Sequence, residues 1–123
     1  MKNNLKLNIA SAFTEFYARG TDLYPIHFSL PKDDKGIIIG RYINALDLVI
    51  ILGYKNYLPA WNKLKTQYNL SIEYSLVFNT EAGSFAEEFL TFKQAQEIVY
   101  NSSRLRCSEK NSLLAFIVES IVC

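Results

Sequence analysis

The sequence predicts one α+β domain that is mostly helical, with about five helices and a small sheet of two to four strands. Its 123 residues are the usual size of a domain built around one core. Half of the residues are hydrophobic, 14% are aromatic and 20% are charged, which is a globular composition. Segments with helical spacing of apolar residues outnumber those with strict alternation. We therefore expect residues 1–123 to form a single domain.

The chain is predicted to begin with a helix and then a strand. Apolar residues recur at helical spacing over residues 4–19, and Gly20 follows as a natural stop. Residues 23–30 alternate between apolar and polar, which indicates a half-buried strand. Because Pro25 cannot donate a backbone hydrogen bond, this strand is expected at the edge of the sheet.

A turn and two helices are predicted next. Residues 31–36, with the sequence PKDDKG, are typical of a turn, after which residues 37–39 can pair back as a short strand. Residues 40–53 favour a helix near the centre of the core. Its polar residues form only a narrow stripe: Arg41, Asn44 and Asp47. Pro59 suits the first turn of a following helix over residues 60–68, where its missing N–H is not needed.

The next part of the chain is predicted to hold a strand, a polar loop and a helix. Residues 70–78 carry the clearest alternation in the sequence and are expected to form a strand. Residues 80–84 resemble a polar loop. Three phenylalanines then suggest a helix from about residue 84: Phe85, Phe89 and Phe92.

Two helices are predicted at the carboxyl end. Residues 91–94 have the order of a capping box, which indicates a helix that starts there and runs to Tyr100. Ser108 is expected to cap a last helix. The wide apolar face of that helix consists of Leu113, Leu114, Ile117, Val118, Ile121 and Val122.

Nothing in the sequence predicts export or a membrane span. The apolar stretch after Lys2 and Lys6 is soon broken by polar residues, and the most apolar window, residues 36–54, contains charged side chains. Cys107 and Cys123 are too few for the disulfide framework of a small secreted protein. We expect a cytoplasmic protein without membrane contact.

No catalytic or metal-binding motif is present. His27 is the only histidine, and no nucleophile or orienting acid lies near it in sequence. With Cys107 and Cys123 it makes an incomplete set of zinc ligands. We therefore predict no catalytic residue, no metal, no cofactor and no enzymatic activity.

Charge is distributed unevenly. Residues 1–70 hold nine basic and five acidic side chains, whereas residues 71–123 hold four basic and seven acidic ones. No lysine or arginine lies between Lys65 and Lys93. An acidic surface is therefore predicted, and it can pair with a basic partner. The predicted contact residues are Glu73, Glu81, Glu87 and Glu88, joined by Asp33 and Asp34 of the first turn.

The favoured function is that of a protein-binding module. A solid core without chemistry and a polarised charge distribution are typical of bacterial immunity proteins and antitoxins, which occlude a cognate toxin, although no motif of any such family is present. The expected partner is a toxin or enzyme with a basic cleft. One alternative is a nucleic-acid accessory protein that uses Lys55, Tyr57, Trp61, Lys63 and Lys65. Another is an enzyme whose site joins His27 to Cys107 or to a carboxylate. The near-zero net charge argues against nucleic acid, and the sequence indicates no oligomeric state.

Overall fold

Five antiparallel strands form one sheet in the computed structural model, which describes residues 12–81 and 83–119. The strands are β1 (Ala12–Arg19), β2 (Asp22–Ser29), β3 (Tyr42–Asn44), β4 (Tyr74–Thr80) and β5 (Gly83–Thr91). They lie in the order β1-β2-β3-β5-β4. The helices are α1 (Ala45–Ile51), α2 (Tyr57–Gln67), α3 (Phe92–Tyr100) and α4 (Cys107–Glu119). No helix in these ranges is long and apolar enough to cross a bilayer.

The domain is α+β, but the prediction of a mostly helical domain with two to four strands is wrong. The described residues form five strands and four helices. Two segments that were expected to be helical are long strands instead, and both belong to hairpins. The sheet is therefore the main scaffold of the molecule.

The helix predicted over residues 4–19 is a strand from residue 12 onward, and residues 4–11 lie outside the described part. Phe13 and Tyr17 are four residues apart, a spacing that puts two side chains on one face of a helix and also on one face of a strand. Gly20 and Thr21 do not end a helix but form the turn that lets β1 pair with β2. Phe16, one of the apolar residues in the predicted helix, is 61% exposed.

Residues 22–29 form the predicted strand, but the prediction that it lies at the sheet edge is wrong. β2 has β1 on one side and β3 on the other. The pairing with β3 covers only Phe28 and Ser29, so Pro25 has a strand neighbour on one side alone. A missing N–H is tolerated there because no second ladder reaches it.

The helix predicted over residues 40–53 begins only at Ala45. Residues 42–44 form the short strand β3, and the Asn44 side chain accepts a hydrogen bond from the Asp47 N–H at 3.0 Å. Asn44 is therefore the N-cap of α1 and not part of a polar stripe. Turn residues 31–36 are followed by partial pairing back, through a single bridge between Lys32 and Ile38.

The helix predicted from residue 84 is the strand β5, which pairs with β4 across a tight turn. Ser84, expected in a polar loop, already belongs to that strand. Phe85 and Phe89 are again four residues apart, and Phe92 belongs to the next helix.

The remaining elements agree with the sequence in type. The strand expected over residues 70–78 is β4, and α2 begins at Tyr57 with Pro59 in its first turn. The capping box is present: Thr91 accepts from the Gln94 N–H at 3.0 Å, and Gln94 accepts from the Thr91 N–H at 2.9 Å. Ser108 does not cap α4 but lies inside it.

The two faces of the sheet carry different sets of side chains. On the helix face, buried strand residues pack with residues from all four helices into the main core; these strand residues are Tyr17, Ile26, Phe28, Ile43 and Leu90. The register puts another set of residues on the opposite face, which we call the far face: Thr14, Phe16, Pro25, His27, Ser29, Tyr42, Asn44, Tyr74, Leu76, Glu87 and Phe89.

Candidate partner-binding surface

An aromatic cluster lies at the centre of the far face. The rings of Tyr42 and Tyr74 stack with centroids 4.2 Å apart, and Phe89 meets Tyr74 edge to face at 5.7 Å. Tyr74, Leu76 and Phe89 are buried. The Tyr74 hydroxyl shares a 2.8 Å hydrogen bond with the Ser29 hydroxyl, which ties β4 to β2 across the sheet. Aromatic pairs of this kind hold their strands in one register.

Glu73 joins this cluster at its outer end. The Tyr42 hydroxyl donates to Glu73 Oε1 at 3.1 Å, and Glu73 itself is exposed. Partial burial of Tyr42, with the hydrogen bond to Glu73 and the charge beside it, raises the pKa of Tyr42 to about 12. Tyr42 is therefore a neutral donor that fixes a negative charge at the rim of the aromatic cluster.

Glu87 lies on the far face at the other end of β3. It accepts a hydrogen bond from the Asn44 side-chain amide, while the Asn44 carbonyl oxygen caps α1. One asparagine thus connects a helix start to a strand carboxylate. Among the ion pairs of the described residues, none joins Glu73 or Glu87 to a lysine or arginine.

Asp47 contributes a third carboxylate next to Glu87. Its Oδ2 accepts the His27 backbone N–H and lies 2.8 Å from His27 Nδ1. Burial raises the pKa of Asp47, the contacts with His27 oppose this rise, and the charge of Glu87 adds to it. Because β3 ends at Asn44, this carboxylate takes the place of a strand partner for the His27 N–H.

Glu88 lies on the helix face. It accepts the Trp61 indole N–H at 2.7 Å and forms an ion pair with the Lys65 ammonium at 2.9 Å. Although burial alone would raise it, these two hydrogen bonds and the charge of Lys65 lower the pKa of Glu88. This carboxylate joins β5 to α2 and is part of the fold.

The six acids predicted as contact residues do not form one patch. Glu73 and Glu87 lie around the aromatic cluster of the far face, whereas Glu88 faces α2. Glu81 is exposed at the turn between β4 and β5. Asp33 and Asp34 belong to the connection between β2 and β3, where Asp33 Oδ1 accepts two backbone N–H groups of its own turn and Asp34 is exposed.

The residues predicted for nucleic-acid binding do not share one exposed surface: some are buried or paired, and others are exposed. Trp61 is 3% exposed and hydrogen-bonded to Glu88, and Lys65 is paired with the same carboxylate. Lys55, Tyr57 and Lys63 are exposed, and the first two line a cavity of about 230 Å³. The one tryptophan is thus placed for packing and not for stacking on a base.

Of the residues predicted for the enzymatic alternative, His27 meets a carboxylate, whereas Cys107 is exposed at the start of a helix. His27 lies beside the carboxylate of Asp47, which is how an acid orients a general base. Cys107 is exposed at the start of α4, and Cys123 lies outside the described part. A cavity of about 510 Å³ lies between α3 and α4 and is lined by neither His27 nor Asp47. Within residues 12–81 and 83–119 no group of three histidine, cysteine or acidic side chains is placed to hold a metal.

Sequence reasoning missed four residues that organise this surface: Tyr42, Tyr74, Asn44 and Asp47. Tyr42 and Tyr74 lie in segments for which the sequence predicts only a helix and a strand, with no role at a surface. Asn44 and Asp47 carried a usable signal, because an asparagine three residues before an aspartate is typical of a helix start. The meeting of His27 with Asp47 is a contact between two elements and has no local signature.

Comparisons with known proteins give no match: no family model, no curated protein and no solved structure is significantly similar to this chain.

Proposed function

We propose that this chain is a non-catalytic protein-binding module that inhibits a partner enzyme or toxin by covering its basic cleft, as bacterial immunity proteins do. The observation that carries the proposal is the arrangement of three carboxylates around the aromatic cluster. Glu73 is held by Tyr42, Glu87 by Asn44, and Asp47 by His27. None of the three has a lysine or arginine partner among the ion pairs of the described residues.

Charge and rigidity support this proposal together. The far-face strand positions named above include no lysine or arginine, so these positions place no positive charge beside the three carboxylates. Such a surface steers a basic partner and disfavours acidic ones. Each carboxylate is oriented by a hydrogen bond from a strand or helix residue, so little side-chain freedom is lost when a partner binds.

The first test is capture of a partner from host extract with the immobilised chain, followed by purification of that partner. A Glu73→Gln/Glu87→Gln variant removes two charges but keeps oxygen acceptors for Tyr42 and Asn44. Its matched control is Glu15→Gln/Asp22→Asn, which removes two exposed acids from the β1–β2 hairpin. We expect at least a tenfold loss of affinity, with a weaker salt dependence, for the first variant alone.

The second test asks whether binding inhibits. The purified partner is assayed for its own activity while the chain is added up to equimolar amounts. Stoichiometric inhibition is expected from a cleft-covering protein. Equal affinity of both charge variants would remove the far face from the proposal, and an unaffected partner activity would remove inhibition.

A further inference from the structure

Residues 31–39 form a small two-stranded ribbon between β2 and β3, which we call the isoleucine ribbon. The Ile39 N–H donates to the Pro31 carbonyl at 2.8 Å, and the Asp33 N–H donates to the Ile37 carbonyl at 2.9 Å. Lys32 and Ile38 form the bridge between these two pairs. Two hydrogen bonds and one bridge therefore join the two sides of this connection between Pro31 and Ile39.

The tip of the ribbon is fixed by its own sequence. Asp33 Oδ1 accepts the N–H groups of Lys35 and Ile37, both at 2.9 Å, and the Asp33 carbonyl accepts the Gly36 N–H at 3.0 Å. Gly36 has a φ of +82°, which glycine adopts without strain. Pro31, at the start of the ribbon, is buried. A segment shaped in this way loses little freedom on binding.

The ribbon presents apolar side chains to solvent. Ile37 is 60% exposed and Ile39 64% exposed, and as alternate residues of an extended segment they lie on the same side. Single exposed apolar residues are ordinary on a protein surface. A pair of exposed β-branched residues on a hydrogen-bonded ribbon is a different feature, since it offers a preformed apolar contact.

The base of the ribbon adjoins the acidic rim of the far face. A Cβ atom on Gly40 would lie 2.5 Å from Tyr42 Cε2 and 3.0 Å from the Tyr42 hydroxyl oxygen. That hydroxyl is the one that donates to Glu73. The ribbon therefore leaves the sheet next to a carboxylate. Its own charges cancel, since Lys32 and Lys35 balance Asp33 and Asp34.

We propose that the isoleucine ribbon is the apolar anchor of the interface: Ile37 and Ile39 enter an apolar pocket of the partner protein, and the rim of that pocket is basic on the side that faces Glu73. This inference rests on the proposed function and specifies its partner. An anchor buried among charged contacts is the usual arrangement of a tight interface.

Two other occupants fit less well. A second copy of the chain would bring the same carboxylates face to face across a symmetric contact, and like charges repel. An anionic membrane would meet Lys32 and Lys35 together with Asp33 and Asp34, so the turn offers no net positive charge, and it lacks the tryptophan and tyrosine typical of interfacial anchors.

The test compares Ile37→Ser/Ile39→Ser with a control, Tyr100→Ser/Val118→Ser, which removes two exposed apolar residues from α3 and α4. Affinity for the purified partner should fall by at least about thirtyfold in the ribbon variant and stay within twofold in the control. Urea unfolding checks that both variants are folded. A photo-crosslinker at residue 37 should mark apolar residues in the cleft of the partner.

The outcomes separate the two proposals. If the wild-type chain binds no protein specifically, both the proposed function and the proposed anchor are wrong. If wild type and the ribbon variant bind the partner equally, the anchor alone is wrong. Sedimentation of wild type but not the variant with phosphatidylcholine/phosphatidylglycerol vesicles would replace the anchor by membrane contact. A dimer seen by analytical ultracentrifugation and lost in the variant would replace it by self-association.

Discussion

The helix face and the far face of the sheet hold their carboxylates in different ways. Glu88, on the helix face, is neutralised by Lys65 and bound to the Trp61 indole, so its charge is used inside the fold. Glu87, the preceding residue, lies on the far face, where its partner is the neutral amide of Asn44. The charge of Glu88 is thus paired with a cation within the fold, whereas under the proposed function the charge of Glu87 is left for a partner.

The aromatic residues of β1 and β2 also differ between the two faces. Replacing one of them is expected to have the largest effect on the unfolding free energy. Phe28 is fully buried on the helix face among the rings of Phe13, Phe92 and Phe116, whereas Phe16 on the far face is 61% exposed. Phe28→Ala should lower the unfolding free energy by about 3–5 kcal/mol, because it leaves a cavity in the main core.

Phe16→Ala serves as the matched substitution and should change the unfolding free energy by less than about 0.5 kcal/mol. Urea denaturation of the two variants beside wild type measures the difference. Similar losses in both would mean that the two faces are equally structural.

The second prediction concerns the neighbouring glutamates. Glu88→Gln should lower the unfolding free energy by about 1 kcal/mol, since it breaks a partly exposed ion pair and weakens the hydrogen bond to Trp61. Glu87→Gln should leave it within about 0.5 kcal/mol, because the new amide still accepts from Asn44 and the repulsion of Asp47 disappears.

Affinity for the partner should show the reverse order, with loss in Glu87→Gln and little change in Glu88→Gln. Urea unfolding and partner affinity, both measured on these two variants, show whether stability and binding depend on different glutamates. If the same variant lost both stability and affinity, the two faces would not have the separate roles that we infer.

The third and smallest effect is a difference in pH dependence. The lowered pKa of Glu88 means that its contribution to stability is present above its unfolded pKa and is lost as the pH falls through its folded pKa. The raised pKa of Asp47 has the opposite sign: its contribution is present below the unfolded pKa and is lost as the pH rises through the folded pKa.

Unfolding free energies between pH 3 and pH 7 test this sign. Glu88→Gln should lose less stability than wild type on acidification, and Asp47→Asn should lose more. Since His27 and Glu87 both face Asp47, the comparison is repeated in a His27→Gln background, in which the imidazole is absent. The same slope in all variants would contradict the assignment of these carboxylates.

The sequence predicted the elements whose signal is local. The capping box at Thr91 and Gln94 identified the start of α3, and alternation identified β2 and β4. It failed for β1 and β5, because residues four apart share a face in both a helix and a strand. Only the pairing of each segment with a neighbouring strand decides between the two.

The sequence located most of the acids of the candidate site but not the face on which each one lies. The gap in basic residues located the acids, since charge can be counted along a chain. It could not separate Glu87 from Glu88, because adjacent residues lie on opposite faces only once β5 is known to be a strand. The pairs that orient the acids, such as Tyr42 with Glu73 and His27 with Asp47, join distant segments.

Hydrogen–deuterium exchange of the chain with and without its purified partner tests the central claim most directly. If the protein works through contact at the far face, added partner should slow amide exchange in residues 31–44 and along β5, and leave α3 and α4 unchanged. Protection confined to α3 and α4, with unaltered exchange in residues 31–44, would contradict the account.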